Sequence, residues 1–451
     1  MLGAFLLISA CGSSQAQDPP PVQSFFEGVI TVNPEIDPTQ DYSGIDVLVI
    51  QSTGREVDTL GIATTDTSGA FSMTVRAPER AAYPYVVQRR GNTLHQGELV
   101  VAEGDSASLQ MELPVRGMAR IRSPENDALI AYRNTMALHR EAMIESVQND
   151  FDENRMGQTI RQTSSILWDL RDSFPGSYVG DLAAVESITM LQGWNDSLAV
   201  DRATTIRPTN PRYADAVRIA REAKVNTEGV DAALDFVHTA LDRAVEAQID
   251  TEVQASLFAE IVQTYLDDLD SEKALAAAND LQSRYPDSPW ADWAARAEYE
   301  AENLLPGNEA PDFDVVTTEG QSLSLANFAD QPVLIEFYTP QSDLYREQVP
   351  TRNAIYNATE EQDLQIVSIS LEPDTLLNEA FRDGRTLPGY HVIASEGDES
   401  PLLDTYNIAS LPTRVLIDAE GRIVNKYIGT AIVALQDDIA ALDPSDDPTE
   451  E

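Results

Sequence analysis

One stretch decides the fold of the C-terminal third of the chain: Leu411-Pro412-Thr413-Arg414-Val415-Leu416-Ile417-Asp418-Ala419-Glu420-Gly421. A proline near its start is followed by β-branched and apolar residues, and an Asp-to-Gly turn closes it. This order predicts a loop, a buried strand and a hairpin turn. Two apolar runs upstream, at 333–337 and 366–371, predict further buried strands. Strands that alternate with helical sequence predict an α/β domain.

The order of these segments resembles the AhpC/TSA and TlpA-like thioredoxin-fold domains. The resemblance begins at Gly307-Asn308-Glu309-Ala310-Pro311-Asp312-Phe313 and ends with the stretch quoted above, which looks like the family's cis-proline loop, strand and hairpin. It implies a thioredoxin-like domain over residues 305–443. It also implies that Pro412 is the cis-proline beside the family's active site and that Gly429 follows the last strand.

The cysteines of the family's Cys-x-x-Cys motif are replaced in this chain. After the strand at 333–337, the two cysteine positions fall on Ser342 and Tyr345 of Ser342-Asp343-Leu344-Tyr345. A peroxiredoxin register also puts the reactive cysteine at Tyr345. A serine at a helix N-terminus is an N-cap and does not exchange disulfides. We therefore predict no catalytic residue, and Glu336, at the place of the family's buried proton-transfer acid or amide, has no thiol to serve.

The resemblance also implies a peptide-binding groove, because in active relatives the cis-proline loop pairs with extended substrate backbone. We expect the groove to be lined by Ser342, Asp343, Tyr345, Leu411, Pro412 and Thr413. The leading hypothesis is a redox-inactive domain that binds an unidentified envelope protein or peptide. The alternatives are a domain that serves only for packing, a thiol-disulfide oxidoreductase or peroxiredoxin-type antioxidant protein, and a structural envelope scaffold that uses its helical region as the contact face.

The single cysteine of the chain, Cys11, follows a short apolar run. The sequence Ile8-Ser9-Ala10-Cys11 resembles the lipobox of bacterial lipoproteins, although the usual basic n-region is missing. This resemblance implies a lipidated Cys11, a signal and tether over residues 1–23, and a membrane-anchored protein of the cell envelope that faces the periplasm, on the inner or the outer membrane. The alternative is a buried free cysteine.

Residues 24–116 contain short alternating apolar runs separated by turn residues. Such spacing predicts an antiparallel β-sandwich. Thr65-Asp66-Thr67-Ser68-Gly69-Ala70-Phe71 resembles the turn-and-strand signature of carboxypeptidase-regulatory-like domains and implies a structural or binding role. The predicted strands lie at 25–32, 46–52, 60–65, 70–76, 83–90, 94–101 and 107–113.

Residues 120–303 have helical periodicity and predict an all-α region. Ser123-Pro124-Glu125 is a helix start, and Phe174-Pro175-Gly176-Ser177 and Tyr285-Pro286-Asp287-Ser288 are similar inter-helix turns. A helical bundle and a tetratricopeptide-like array both fit. Trp290 and Trp293 are expected in the core. The two predicted apolar stripes are Val230, Leu234, Val237, Leu241 and Val245, and Phe258, Ile261, Tyr265 and Leu269.

The net charge of -45, from 30 basic and 75 acidic residues, excludes a nucleic-acid-binding surface of the usual basic kind. The only lysines are Lys224, Lys273 and Lys426. Acid enrichment with lysine depletion resembles the proteomes of halophiles, and a functional acidic surface is the alternative. Residues 444–451 form an acidic tail. The four histidines show no metal-ligand spacing, so no metal or cofactor is predicted.

Overall fold

The computed structural model describes residues 21–53, 56–115, 119–148, 152–358 and 363–442. β-Sheets come first, helices follow and an α/β domain ends the chain, so the predicted multidomain class is confirmed. The chain forms two compact units, Met1–Thr227 and Glu228–Glu451. This division falls within the helical region, and the helices after residue 228 belong to the same unit as the α/β domain. The predicted lipidation site Cys11 and the acidic tail at 444–451 lie outside the described residues.

The N-terminal strands form two four-stranded sheets. The strands are β1 (Val22–Val32), β2 (Asp46–Thr53), β3 (Glu56–Thr64), β4 (Ala70–Ala77), β5 (Ala81–Arg89), β6 (Asn92–Val101), β7 (Ser106–Leu113) and β8 (Arg120–Arg122). Their orders are β4-β1-β7-β8 and β3-β2-β5-β6. All seven predicted strands are present, and β8 is additional. One pairing departs from the antiparallel prediction: β1 and β7 are parallel, because the chain reaches β7 from the other sheet and no hairpin joins the two strands.

The core between these sheets contains the apolar side chains that alternate along each strand. The Phe26 ring meets those of Phe71 and Tyr85 edge-on, with centroids 5.3 and 6.0 Å apart. Gly69 makes the predicted turn with φ of 82°, and a Cβ there would lie 2.1 Å from the Ile30 carbonyl oxygen. The turn therefore requires glycine.

Helices occupy the middle of the chain. In the first unit they are α1 (Pro124–Gln148), α2 (Glu153–Ser173), α3 (Tyr178–Thr189), α4 (Asp196–Thr205) and α5 (Tyr213–Glu228). The second unit contains α6 (Val230–Glu246), α7 (Thr251–Asp267), α8 (Ser271–Arg284) and α9 (Pro289–Asn303). The two similar turns are confirmed as inter-helix turns: Ser177 caps α3 and Ser288 caps α9. None of the described helices is long and apolar enough to cross a bilayer.

Three expectations for the helical region are wrong. Val245 and Leu269 are exposed rather than part of a buried stripe. The reason for Leu269 is that α7 ends at Asp267, and Leu269 turns the chain with a φ of 58°. Trp290 and Trp293 are only half-buried, and their rings pack edge-on against each other at a centroid distance of 5.8 Å.

The C-terminal domain contains a five-stranded sheet in the order β13-β12-β11-β14-β15. Its elements are β9 (Asp314–Val316), β10 (Ser322–Ser324), β11 (Val333–Tyr338), α10 (Asp343–Ala358), β12 (Gln365–Ser370), α11 (Thr375–Arg382), β13 (Tyr390–Ile393), α12 (Pro401–Thr405), β14 (Thr413–Ile417), β15 (Ile423–Ile428) and α13 (Ile432–Ala440). Strands β11, β12 and β13 are parallel, and β14 and β15 are antiparallel to their neighbours. Helix α10 therefore starts at the same edge of the sheet as the loop before β14.

Candidate functional site

The candidate site lies where β11 leads into α10, next to the loop before β14. The Ser342 hydroxyl accepts a hydrogen bond from the Tyr345 backbone N–H at 3.2 Å, which is an N-cap contact. The Asp343 side chain is 89% exposed. The Leu411–Pro412 peptide bond is cis, as predicted. Ser342 is thus a helix-capping residue at the predicted position.

A buried ionic cluster lies beneath this helix start. Glu336 is 0% exposed. One carboxylate oxygen accepts hydrogen bonds from Arg352 Nε at 2.8 Å, Tyr345 Oη at 3.0 Å and Ser368 Oγ at 3.0 Å. The other oxygen accepts one from Arg414 Nε at 3.0 Å. Because every partner donates to the carboxylate, the cluster stabilises the ionised form of Glu336.

The electrostatics of the cluster fix the charge of each group. Burial alone would raise the pKa of Glu336, but the positive charges of Arg352 and Arg414 outweigh it and lower that pKa to about 2. Burial and the Glu336 charge both raise the pKa of Tyr345 well above its ordinary value. At neutral pH Glu336 is therefore ionised and Tyr345 is a neutral phenol. The expectation that Glu336 has nothing to serve is wrong, because it is the buried counter-ion of Arg352 and Arg414.

Tyr345 does not line a groove, contrary to the sequence prediction. It is 1% exposed, and its ring stacks on Tyr338 at a centroid distance of 4.2 Å. The Phe381 ring lies 6.0 Å from it. Tyr345 is held inside because its hydroxyl reaches Glu336 while its ring fills the space between α10 and α11. Pro412 and Thr413 are also buried, since β14 is an inner strand. The accessible members of the predicted groove are Ser342, Asp343 and Leu411.

The backbone of Leu411 has an unused hydrogen-bond donor and acceptor. The loop is fixed on either side of it, because Thr413 Oγ1 donates to the Ser410 carbonyl at 2.7 Å and the Gly429 N–H donates to the Pro412 carbonyl at 2.8 Å. Within the described part of the chain, the N–H and C=O groups of Leu411 itself have no partner. An extended segment could satisfy both groups by pairing beside Leu411.

Ser342, His391 and Asp343 are the residue types of a hydrolytic triad, but the structure does not bring them together as one. His391 Nε2 lies 2.8 Å from the Leu387 carbonyl oxygen and therefore carries the proton that it donates there. In the described residues no hydrogen bond joins His391 to Ser342. The same residues contain no group of three or more His, Cys, Asp or Glu placed to hold a metal ion.

Comparison with known proteins finds a family match in the C-terminal domain. Residues 306–427 match the AhpC/TSA family. The C-terminal domain has the AhpC/TSA-type thioredoxin fold. Among the relatives of this domain, the thiol-disulfide oxidoreductase ResA of Bacillus cereus is 27% identical over 128 residues, which cover 28% of this chain and 72% of that protein. ResA of Geobacillus kaustophilus is 27% identical over 126 residues, or 28% of this chain and 70% of that protein.

Solved structures similar to this chain cover about a third of it. A putative thiol:disulfide interchange protein DsbE from Chlorobium tepidum is 23% identical, covers 31% of this chain and 99% of its own, and has a TM-score of 0.29. A secreted disulfide oxidoreductase of Mycobacterium tuberculosis is 20% identical, covers 29% and 96%, and has a TM-score of 0.25.

Sequence reasoning missed Arg352, Arg414 and Ser368. A signal for one of them was present: Arg414 interrupts the apolar strand pattern of β14, and Glu336 interrupts that of β11. A charge within a buried strand requires a partner of opposite sign. The two residues are paired in register across the sheet. Arg352 and Ser368 gave no comparable signal, since a helical arginine and a strand serine are common at surfaces.

Proposed function

We propose that the C-terminal domain binds an extended peptide segment of another protein and does not exchange disulfides. The observation that carries the proposal is the pair of unused backbone groups at Leu411, next to the accessible Ser342 and Asp343. Pairing with main-chain groups gives affinity for any extended peptide, and neighbouring side chains then select among sequences. No part of this recognition requires a thiol.

The absence of redox chemistry rests on the residues at the helix start. The relatives are named thiol-disulfide oxidoreductases, and that activity proceeds through thiolates. This chain has one cysteine, at position 11. Ser342 is a helix cap and Tyr345 is a buried phenol. With a pKa of about 2, Glu336 stays ionised at neutral pH and is held by its arginines, so it is a poor proton shuttle.

A peptide titration tests the binding half of the proposal. The full-length protein is titrated with a capped octapeptide of Ser, Thr and Gln, and with copies methylated on one backbone nitrogen at a time. Methylation removes a donor without changing any side chain. We expect one or two methylated copies to bind about fivefold to tenfold more weakly, because a lost hydrogen bond costs about 1 kcal/mol. Equal binding by all copies, or no binding, would favour a packing module or a scaffold.

A disulfide-reduction assay tests the redox half. We expect no turnover of a disulfide-bonded protein substrate above the rate of the reductant alone. An oxidoreductase is the second candidate function, favoured by the names of the relatives. Turnover that disappears in Ser342→Ala or Tyr345→Phe would establish it and refute the proposal.

The membrane anchor belongs to the same proposal. We propose that acylated Cys11 holds the protein on a membrane of the cell envelope, facing the periplasm, on the basis of the lipobox-like sequence before it. Cys11→Ala should then move the protein from the membrane fraction to the soluble fraction. Tight membrane association of that variant would exclude the anchor.

A further inference from the structure

A cavity of about 450 Å³ lies between the helical region and the AhpC/TSA-type domain, within the second compact unit. Its helical wall comes from α7 and α9, and its other wall comes from β15 and the loop that leads to Leu411. The volume is in the range of about 300–1,000 Å³ that is typical of ligand pockets. Among the residues that line it are Leu266, Trp293, Leu304, Ala409 and Ile428.

Helix α9 is fixed against the domain at this cavity. Glu300 accepts hydrogen bonds from Lys426 Nζ at 2.8 and 2.9 Å and from Asn407 Nδ2 at 2.7 Å. Tyr299 donates its hydroxyl to the Thr405 carbonyl at 3.0 Å. Leu304, just after α9, packs into the core of the domain. Helix α9 is therefore a fixed wall of the cavity.

The charged residues at the cavity balance one another. Asp267 and Glu300 are acidic, and Arg296 and Lys426 are basic. This balance contrasts with the net charge of -45 for the whole chain. One of only three lysines in the sequence is used here to neutralise Glu300. A cavity whose charged residues balance and whose other lining residues are mostly apolar suits an uncharged group.

Two exposed apolar side chains stand at the cavity. Leu269 is 54% exposed and Ile428 is 55% exposed. Leu269 also has a φ of 58°, a left-handed conformation that is unfavourable for a leucine and natural for asparagine or glycine. Folding alone does not favour a large exposed leucine there. A ligand that covers Leu269 would explain it.

The cavity has lining residues that are close along the chain to the proposed peptide site. Ala409, two residues before Leu411, lines the cavity, and Ile428 is paired in register with Thr413. Two residues of extended chain span about 7 Å. We infer that an extended peptide paired beside Leu411 places an aliphatic or aromatic side chain in this cavity, between α7, α9 and β15. The site then selects peptides that are extended and uncharged and that carry one apolar anchor residue. This inference rests on the proposed function.

A leucine scan of the peptide tests the inference. Capped octapeptides of Ser, Thr and Gln, with one Leu introduced at each position in turn, are titrated into the full-length protein. We expect one position at which Leu strengthens binding about tenfold, since burying a leucine contributes about 1.5–3 kcal/mol, where 1.4 kcal/mol is tenfold. That position should lie two or three residues from the backbone nitrogen whose methylation weakens binding most.

Two variants link the effect to the cavity. Leu269→Asn removes an apolar wall and suits the left-handed backbone, so the protein stays folded. It should reduce the advantage of the Leu peptide about fivefold, a larger change than any in the binding of the all-polar peptide. The control Val433→Gln alters an exposed apolar residue on α13 that does not line the cavity, and should change neither.

The outcomes separate this inference from the proposed function. If methylation weakens binding but Leu strengthens it at no position, or if Leu269→Asn leaves the Leu advantage intact, the cavity inference is wrong and the peptide site stands. If methylation has no effect on binding at any position, the peptide site is wrong and the inference fails with it.

Discussion

At the scale of single residues, Glu336 is the centre of the site. Its buried carboxylate accepts hydrogen bonds from two buried arginines and from Tyr345. Tyr345 occupies the position of the second cysteine in the Cys-x-x-Cys motif of the resembling family. Removing one member of a buried ionic cluster leaves an uncompensated charge and costs far more than the intact pair contributes. The cluster therefore makes the helix start a fixed structural element.

We expect Glu336→Gln to lower the unfolding free energy of this domain by about 3–5 kcal/mol, because Arg352 and Arg414 lose their counter-charge. Hydrogen exchange of the β11 and β14 amides measures it. Glu347→Gln, an exposed carboxylate on α10, is the control and should have little effect. Equal protection in Glu336→Gln and wild type would contradict the cluster's role.

The difference in unfolding free energy between wild type and Glu336→Gln depends on pH in a defined direction. The pKa of Glu336 falls from 4.5 to about 2 on folding, so its contribution to stability is complete above about pH 4.5 and is lost as the pH falls towards 2. We expect the gap between wild type and Glu336→Gln to be constant from pH 5 to 7 and to narrow below about pH 4. A gap that widens in acid would contradict the assignment.

At the scale of elements, most strands followed from the sequence and one helix end did not. Alternating burial and turn residues were sufficient for β1–β7, and the inter-helix turns were correctly placed by their caps. Helix α7 ends two residues before the apolar stripe does, because Leu269 takes a left-handed turn. Periodicity cannot predict this early end of the helix, since leucine is a strong helix former.

The contact between α9 and β15 also bears on the site. Glu300 and Leu304 tie α9 to the domain, so removing this helix would leave Lys426 without its carboxylate and expose part of the domain core. We expect Glu300→Gln to lower the free energy of unfolding of the second unit by about 1–2 kcal/mol, because half-buried Lys426 loses its anion. Glu302→Gln, exposed on the same helix, is the control. Equal urea midpoints for the two variants would contradict this docking.

At the scale of the whole molecule, composition predicts surface behaviour and says little about the site. The three kinds of region, β, α and α/β, and their order could be read from strand and helix patterns. The grouping of α6–α9 with the C-terminal domain could not be predicted, because it rests on contacts between residues that are far apart in the sequence. The same holds for the cavity, whose walls are far apart in the sequence.

We expect the melting temperature to rise between 0.15 M and 2 M potassium chloride. Self-repulsion within a chain of net charge -45 is screened as the Debye length falls from about 8 Å to 3 Å or less. Chloride is chosen because sulfate stabilises proteins by exclusion from their surface. A melting temperature independent of chloride concentration would contradict the interpretation of the acidic surface as an adaptation to salt.

The proposed peptide site requires that a bound peptide accept a hydrogen bond from the backbone N–H of Leu411. Amide hydrogen exchange at Leu411, followed by NMR in the isotope-labelled full-length protein, measures it directly. With a saturating capped peptide, we expect exchange at Leu411 to slow at least about tenfold, while the Gly429 amide, already bonded to Pro412, changes little. Unchanged exchange at Leu411 with the peptide bound would contradict the proposed mode of binding.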